Sequence, residues 1–123
     1  MVDGYDVQRT GFEMLLLRIR DTYKPTTRET EMGVVQPFIE ADKLFIEDVG
    51  TTVRSDKQES DFSLRTFLVL LDQRLEACRP TFITTNEPLE QVGRCFDDRI
   101  ASRLIQACRI VKLTGADRRR QTI

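Results

Sequence analysis

Apolar side chains recur every three to four residues in several stretches of the chain, which is the spacing of a buried helix face. In the first of these, Met14 and Leu17 widen the apolar stripe, so we expect little of that helix to face water. A longer stretch, from about Asp61 to Ala77, keeps one apolar stripe that includes Leu64 and Leu68. This pattern places Arg74 on a polar side of the predicted helix. The predicted helices cover Phe12 to Tyr23, Met32–Glu40, about Asp61 to Ala77 and about Asp97 to Ala107.

Shorter apolar runs are typical of strands. KLFIED, residues 43–48, has the length and composition of a fully buried strand that ends in carboxylates. A second buried strand is predicted over Thr81–Thr85, where Asn86 stops it. CRIVKL, residues 108–113, is the last predicted strand.

Strands that alternate with helices predict an α/β layer with a mostly parallel sheet, in which ligands bind outside the carboxyl ends of the strands. Glu47 and Asp48 end one predicted strand, and Thr84, Thr85 and Asn86 end the next. Since consecutive strands often lie side by side, we expect these groups to be neighbours. Adjacent carboxylates repel each other, so a positive partner, either a side chain or a metal ion, is expected nearby.

The composition excludes several kinds of chemistry. The 123 residues are one domain's worth of chain with a net charge of −1, and no apolar run is long enough to cross a membrane, so we expect a cytoplasmic protein. Histidine is absent, which rules out histidine-based acid–base catalysis and Ser-His or Cys-His triads. The basic run Arg118–Arg120 is interpreted as a solvated tail. The separated cysteines are expected to be small buried hydrophobes: Cys78, Cys95 and Cys108.

Several segments, in this order, resemble the AAA+ ATPase domain of the DnaC/IstB-like group: LFIEDVG, then TFITTN, then DDRIASRL followed by CRIVKLTG. This group contains replicative helicase loaders and transposition helper ATPases. In it, the apolar run with two acids is the Walker B segment, the polar strand end is sensor 1, and the arginine pair lies in the box VII region. The resemblance implies a P-loop NTPase type parallel sheet flanked by helices. Residues 1–123 would form a partial, N-terminally truncated domain that begins at about the second strand, around Asp6–Thr10.

The resemblance also assigns roles to individual residues. Glu47, with Asp48, would help hold Mg²⁺, and Asp48 would orient or activate the water that attacks the γ-phosphate of ATP. Asn86 would be the sensor 1 residue that contacts the γ-phosphate or that water. Arg103 would be the arginine finger that reaches the nucleotide of the next subunit, with Arg99 in support. Glu47 stands where the family normally has Asp, so its carboxylate lies one methylene further from the backbone.

The phosphate-binding loop of this family has no counterpart in the sequence. None of the glycines is followed by lysine, so no G-x-x-x-x-G-K-[ST] motif is present. We therefore expect the chain alone to bind ATP poorly and to be inactive. We also expect apolar surface to be exposed next to Ile46 and Ile83, with marginal stability or aggregation as the result.

Taken together, the resemblance implies an AAA+ module that couples Mg-ATP hydrolysis to DNA helicase loading or to transposition, and both remain open. It implies self-association through the AAA+ interface, a replicative helicase or transposase as partner, and contact with single-stranded DNA. An alternative is a non-catalytic interaction fragment that packs on ATPase subunits and supplies the arginine finger. A Mg²⁺-dependent phosphohydrolase that uses Glu47 and Asp48 fits least well, because no further acidic cluster completes a metal site.

Overall fold

The computed structural model describes residues 5–50, 61–88, 90–92 and 98–113. Its strands are β1 (Val7–Gly11), β2 (Lys43–Glu47) and β3 (Thr81–Ile83). Its longer helices are α1 (Phe12–Asp21), α2 (Glu31–Glu40), α3 (Asp61–Glu76) and α4 (Asp98–Ala107). None of the described helices is long and apolar enough to cross a membrane. The predictions for Cys95 and Arg118–Arg120 fall outside the described residues.

The strands form one parallel sheet in the order β1, β2, β3. Gly11 lies opposite Glu47 at the end of one pair, and Ile46 lies opposite Ile83 in the other. Consecutive strands are therefore neighbours, as predicted, and their carboxyl ends meet at one edge. Parallel strands need long crossover connections, and these contain α1 and α2 before β2 and α3 before β3.

One face of the sheet forms the core together with the helices. Leu44 and Ile46 of β2 are 0% exposed and belong to this core, whereas Phe45 between them is 37% exposed. Successive side chains of a strand point to opposite faces, so the prediction of a fully buried β2 is wrong. The helices contribute most of the remaining core side chains: Phe12, Leu15, Leu16, Ile19, Val34, Val35, Phe38, Ile39, Phe67, Leu70, Leu71, Ile100 and Leu104.

The opposite face of the sheet carries exposed apolar side chains. Phe45 is joined there by Val7 and Phe82, which are 53% and 47% exposed. The rings of Phe45 and Phe82 stack with their centroids 4.7 Å apart. The expected exposure of apolar surface next to Ile46 and Ile83 is thus confirmed within the described residues.

Two helices present different faces from those predicted. Met14 and Leu17 of α1 are 58% and 54% exposed. The prediction that these residues widen the buried stripe of that helix is therefore wrong. In α3 the predicted stripe residues Leu64 and Leu68 are only partly buried. The helix is instead turned so that Arg74 points inward. Its buried residues are Ser63, Thr66, Phe67, Leu70, Leu71 and Arg74.

The buried arginine joins three elements at the end of the sheet where β2 and β3 begin. Arg74 is 0% exposed. Because burial removes its hydration, the pKa of the Arg74 guanidinium is lowered, and the charge of Arg79 acts in the same direction. Its hydrogen-bond acceptors, at 2.7 to 3.1 Å, are the carbonyl oxygens of Phe38, Ile39, Ala41 and Pro80 and the hydroxyl of Thr81.

The last predicted strand is wrong. Residues 108–113 have no regular secondary structure, and Val111 and Leu113 are 69% and 90% exposed. A strand needs a hydrogen-bonded neighbour, and the described sheet provides none beside this segment. Among the cysteines, Cys78 is exposed rather than buried. Cys108 is half-buried, and burial raises the pKa of its thiol.

Candidate functional site

The edge at which β2 and β3 end brings the two predicted polar groups together. β3 ends at Ile83, so Thr84 lies just beyond the strand. The Thr84 N–H donates to the carbonyl of Ile46 at 3.0 Å, and its carbonyl accepts from the N–H of Val49 at 3.0 Å. The Thr84 Oγ1 accepts from the N–H of Asp48 at 3.2 Å. Thr84 therefore holds the backbone of the acidic segment against the end of β3.

Asp48 lies in a sharp turn after β2. Its φ angle is 58°, in the left-handed region, which aspartate tolerates better than most residues, and Gly50 follows with a φ of 82°. A Cβ atom added at Gly50 would lie 3.9 Å from the Thr85 Oγ1, so the turn after β2 lies against the turn after β3. Asp48 itself is exposed at this edge.

Glu47 has a cationic side chain as its partner. The Nε of Arg9 donates to the Glu47 Oε1 at 2.6 Å, and the two side chains are 73% and 35% exposed. Gly11 of β1 lies directly opposite Glu47, so Arg9 reaches it diagonally across the open face of the sheet. The positive partner expected near the acidic pair is therefore, for Glu47, an arginine.

The acidic pair does not fit a resident Mg²⁺ ion. Mg²⁺ takes carboxylate oxygens at about 2.1 Å in near-ideal octahedral geometry. The Glu47 carboxylate is instead drawn toward β1 by Arg9. Within the described residues, no group of three or more acidic, cysteine or histidine side chains is placed to hold a metal ion. The donor set is thus two neighbouring acids, of which Glu47 is already paired.

Asn86 lies in the turn that follows β3, at the same edge of the sheet. Its side chain is exposed. The Thr85 Oγ1 accepts from the N–H of Glu87 at 3.1 Å, which closes the turn around Asn86. The arrangement leaves the Asn86 amide accessible on the edge that also carries Asp48.

The two predicted box VII arginines lie on α4, which an ion pair joins to α3. Ile100 and Leu104 are 0% and 7% exposed, so the apolar side of α4 faces the core, as predicted. The Nε of Arg103 donates to the Asp72 Oδ1 of α3 at 2.8 Å. Arg99 lines an open groove of about 510 Å³. The other residues that line this groove are Asp61, Phe62, Leu64, Arg65 and Leu68.

Arg9 is the residue of this site that the sequence analysis missed. A basic side chain in the strand next to β2 is a signal that could have pointed to it. The decisive fact is the register, which sets Arg9 diagonal to Glu47. That register is a property of the folded sheet.

Comparison with solved structures gives matches among DNA replication initiation proteins. The crystal structure of a DNA replication initiation factor matches with a TM-score of 0.70 and 13% identity, over 85% of this chain and 30% of that chain. AMPPCP-bound DnaA from Aquifex aeolicus matches with a TM-score of 0.68 and 14% identity, over 84% and 30% of the two chains. The replication initiator DnaA bound to AMPPCP and single-stranded DNA matches with a TM-score of 0.69 and 13% identity, over 85% of this chain and 30% of that chain. No protein-family model matches the sequence, and the comparison with curated proteins gives no match either.

The matches concern the fold. The chain spans about 30% of the length of each matched structure. The matched proteins are replication initiators, so the assignment to the DnaC/IstB-like group stays a prediction. The predicted α/β class is confirmed: over the residues described, the chain has a parallel sheet with helical crossovers, in a fold similar to that of the DnaA structures.

Proposed function

We propose that this chain is the Walker B, sensor 1 and box VII part of an AAA+ ATPase module that acts in DNA replication, as a helicase loader of the DnaC type, or in transposition. The observation that carries the proposal is the contact between the two strand ends. Thr84 fixes the backbone of Asp48 through its hydroxyl. An acid and an amide held at one sheet edge suit the positioning of a water molecule and a γ-phosphate.

In this proposal Asp48 orients the attacking water, and Asn86 hydrogen-bonds the γ-phosphate or that water. An amide suits this task because it both donates and accepts hydrogen bonds. The N–H of Asp48 donates to the Thr84 Oγ1, so the backbone of this exposed residue is held at the edge of the sheet. Two of the matched replication initiators are described as bound to AMPPCP, and one of them also to single-stranded DNA, which supports a nucleotide and DNA as ligands.

Arg103, supported by Arg99, acts on the nucleotide of a neighbouring subunit, which requires self-association. Arg103 must first leave Asp72, and both side chains are about half exposed. An exposed ion pair of this kind contributes only about 0–1 kcal/mol. An arginine finger raises turnover by about 10³–10⁵-fold, so the gain exceeds the cost of release by a wide margin.

A mixed-subunit assay tests the proposal. The chain is combined with a DnaC-type ATPase that keeps its Walker A loop but has its box VII arginine substituted, and ATP hydrolysis is measured. We expect the wild-type chain to restore turnover and Arg103→Ala to lose about 10³-fold or more of that stimulation. Arg28→Ala, in the exposed loop between α1 and α2, is the matched control and should behave as wild type. Absence of stimulation by the wild-type chain would contradict the proposal.

A second candidate is a non-catalytic module that packs on ATPase subunits and supplies the arginine. The Arg9–Glu47 pair supports it, because that pair engages the acid that the family uses for the metal. The DNA upstream of the Met1 codon distinguishes the two candidates. An in-frame G-x-x-x-x-G-K-[ST] motif about 40–60 residues earlier supports the ATPase, and its absence supports the interaction module.

A further inference from the structure

The Arg9–Glu47 contact has the geometry of a charge-assisted hydrogen bond. Its N–O distance is 2.6 Å, just below the usual range of about 2.7–2.9 Å for bonds between charged nitrogen and oxygen groups. It joins β1 to β2 on the face of the sheet that the described helices leave open. The glutamate at this position provides the reach that the contact needs, since an aspartate carboxylate would lie closer to the β2 backbone.

A divalent ion and the guanidinium would compete for the same carboxylate, whose Oε1 already accepts from Arg9. Mg²⁺ or Mn²⁺ would have to approach Glu47 while a positive charge lies 2.6 Å from the Glu47 Oε1. Two cations at one carboxylate repel each other, and the repulsion is doubled because the metal ion carries two positive charges. Asp48 alone offers a single carboxylate, and magnesium sites in proteins complete their shell with substrate phosphates and water.

We propose that the Arg9 guanidinium takes the place of the divalent ion at Glu47, so that Glu47 is neutralised without a metal and is closed to one while the pair is formed. The inference rests on the proposed function, because it concerns the residue to which the family assigns Mg²⁺. The geometry behind it belongs to this chain, namely a longer acid at position 47 and a basic residue diagonal to it on β1.

Titration with Mn²⁺ alone tests this substitution. Free Mn²⁺ is followed by its electron paramagnetic resonance signal in the presence of the 123-residue chain, without nucleotide. The wild-type chain is expected to bind Mn²⁺ weakly. An exposed ion pair corresponds to at most about a fivefold change in an equilibrium constant, and removal of the arginine also removes a repelling charge. We therefore expect Arg9→Met to bind Mn²⁺ more tightly than the wild type, by up to about fivefold from the broken pair and by a further gain from the removed charge.

The control variants show where any gain arises. Arg9→Lys keeps a cation at the position and should stay close to wild type. Arg28→Met removes an exposed arginine from a distant loop and should also stay close to wild type. Combining Arg9→Met with Glu47→Gln should remove the gain. Arg9→Gln replaces Arg9→Met if the latter fails to show the far-ultraviolet circular dichroism of the wild-type chain.

Two results would overturn the inference. One is equal affinity for Mn²⁺ in the wild type and in Arg9→Met. The other is a gain that persists when Glu47→Gln is added. Because no nucleotide is present, failure of the ATPase proposal leaves this titration unaffected. Conversely, the mixed-subunit assay depends on Arg103, so a failed metal titration leaves its outcome unchanged.

Discussion

An arginine lies at each end of the small sheet, and the two are used in opposite ways. Where β2 and β3 begin, Arg74 is 0% exposed and donates to neutral acceptors at the end of α2 and just before β3. Where β2 ends, Arg9 is 73% exposed and pairs with the carboxylate of Glu47. The buried guanidinium joins α3, which carries it, to the backbone at the end of α2 and at the start of β3. The exposed guanidinium neutralises a single side chain.

The two arginines therefore contribute differently: Arg74 stabilises the fold, and Arg9 sets the charge at the candidate site. A buried charge is tolerated only when its donors are satisfied, and loss of such a group leaves its partners unpaired in the core. An exposed ion pair contributes little and can rearrange. Ligands of open α/β sheets bind at the carboxyl ends of the strands, so the rigid end lies opposite the candidate site. Arg74 thus stabilises the end of the sheet that is remote from Asp48 and Asn86.

The largest effect is expected from Arg74→Met, which should lower the free energy of unfolding by about 3–5 kcal/mol, because several buried carbonyl groups lose their donor. Urea denaturation followed by circular dichroism measures the change, and complete loss of a cooperative transition also counts as agreement. Arg79→Met is the matched control, since Arg79 donates to Ile39 alone among these carbonyls, at 2.8 Å. It should cost about 1 kcal/mol. Equal effects of the two variants would contradict the claim that Arg74, with several buried acceptors, contributes more than Arg79, with one.

The position of Arg74 illustrates where sequence reasoning stops. Apolar periodicity correctly predicts where the helices lie, although α1 and α3 turn other faces to the core than those predicted. It places Arg74 on a polar side, since a charged residue is normally exposed. Three of its five acceptors, the carbonyl oxygens of Phe38, Ile39 and Ala41, lie 33 to 36 residues away in the chain. No local pattern contains that information.

The candidate site shows the same limit. That the ends of β2 and β3 are neighbours follows from the order of the elements, and the sequence predicts it. The partner of Glu47 depends on the register between β1 and β2 and could not be deduced. Residues 108–113 have the composition of a strand and yet form none, because a strand is defined by its neighbour as well as by its own residues.

A smaller effect is expected from Thr84→Val, at the functional end of the sheet. Valine keeps the shape of threonine but cannot accept the hydrogen bond from the Asp48 N–H. We expect a loss of about 0.5–1.5 kcal/mol in the free energy of unfolding. Because Asp48 sits in the left-handed region, loss of this contact should also loosen its turn. Amide hydrogen exchange at Asp48 should therefore quicken more than at Ile46 in the buried part of β2. Unchanged protection at Asp48 would show that Thr84 does not hold this turn.

The smallest effect is expected from Arg9→Met. Exposed ion pairs contribute about 0–1 kcal/mol, so the free energy of unfolding should fall by no more than that. The pair should also be sensitive to salt, because the Debye length shrinks from about 10 Å at 0.1 M to about 3 Å at 1 M ionic strength.

A double-mutant cycle with Arg9→Met and Glu47→Gln, measured by urea denaturation at both salt concentrations, isolates the coupling between the two side chains. We expect the coupling to be below about 1 kcal/mol at low salt and to vanish at high salt. The cost of Arg74→Met should persist at high salt, because it arises from unpaired buried carbonyl groups that ions cannot screen. A coupling that survives 1 M salt would mean that the Arg9–Glu47 pair also stabilises the fold. The proposed difference between the two ends of the sheet would then be wrong.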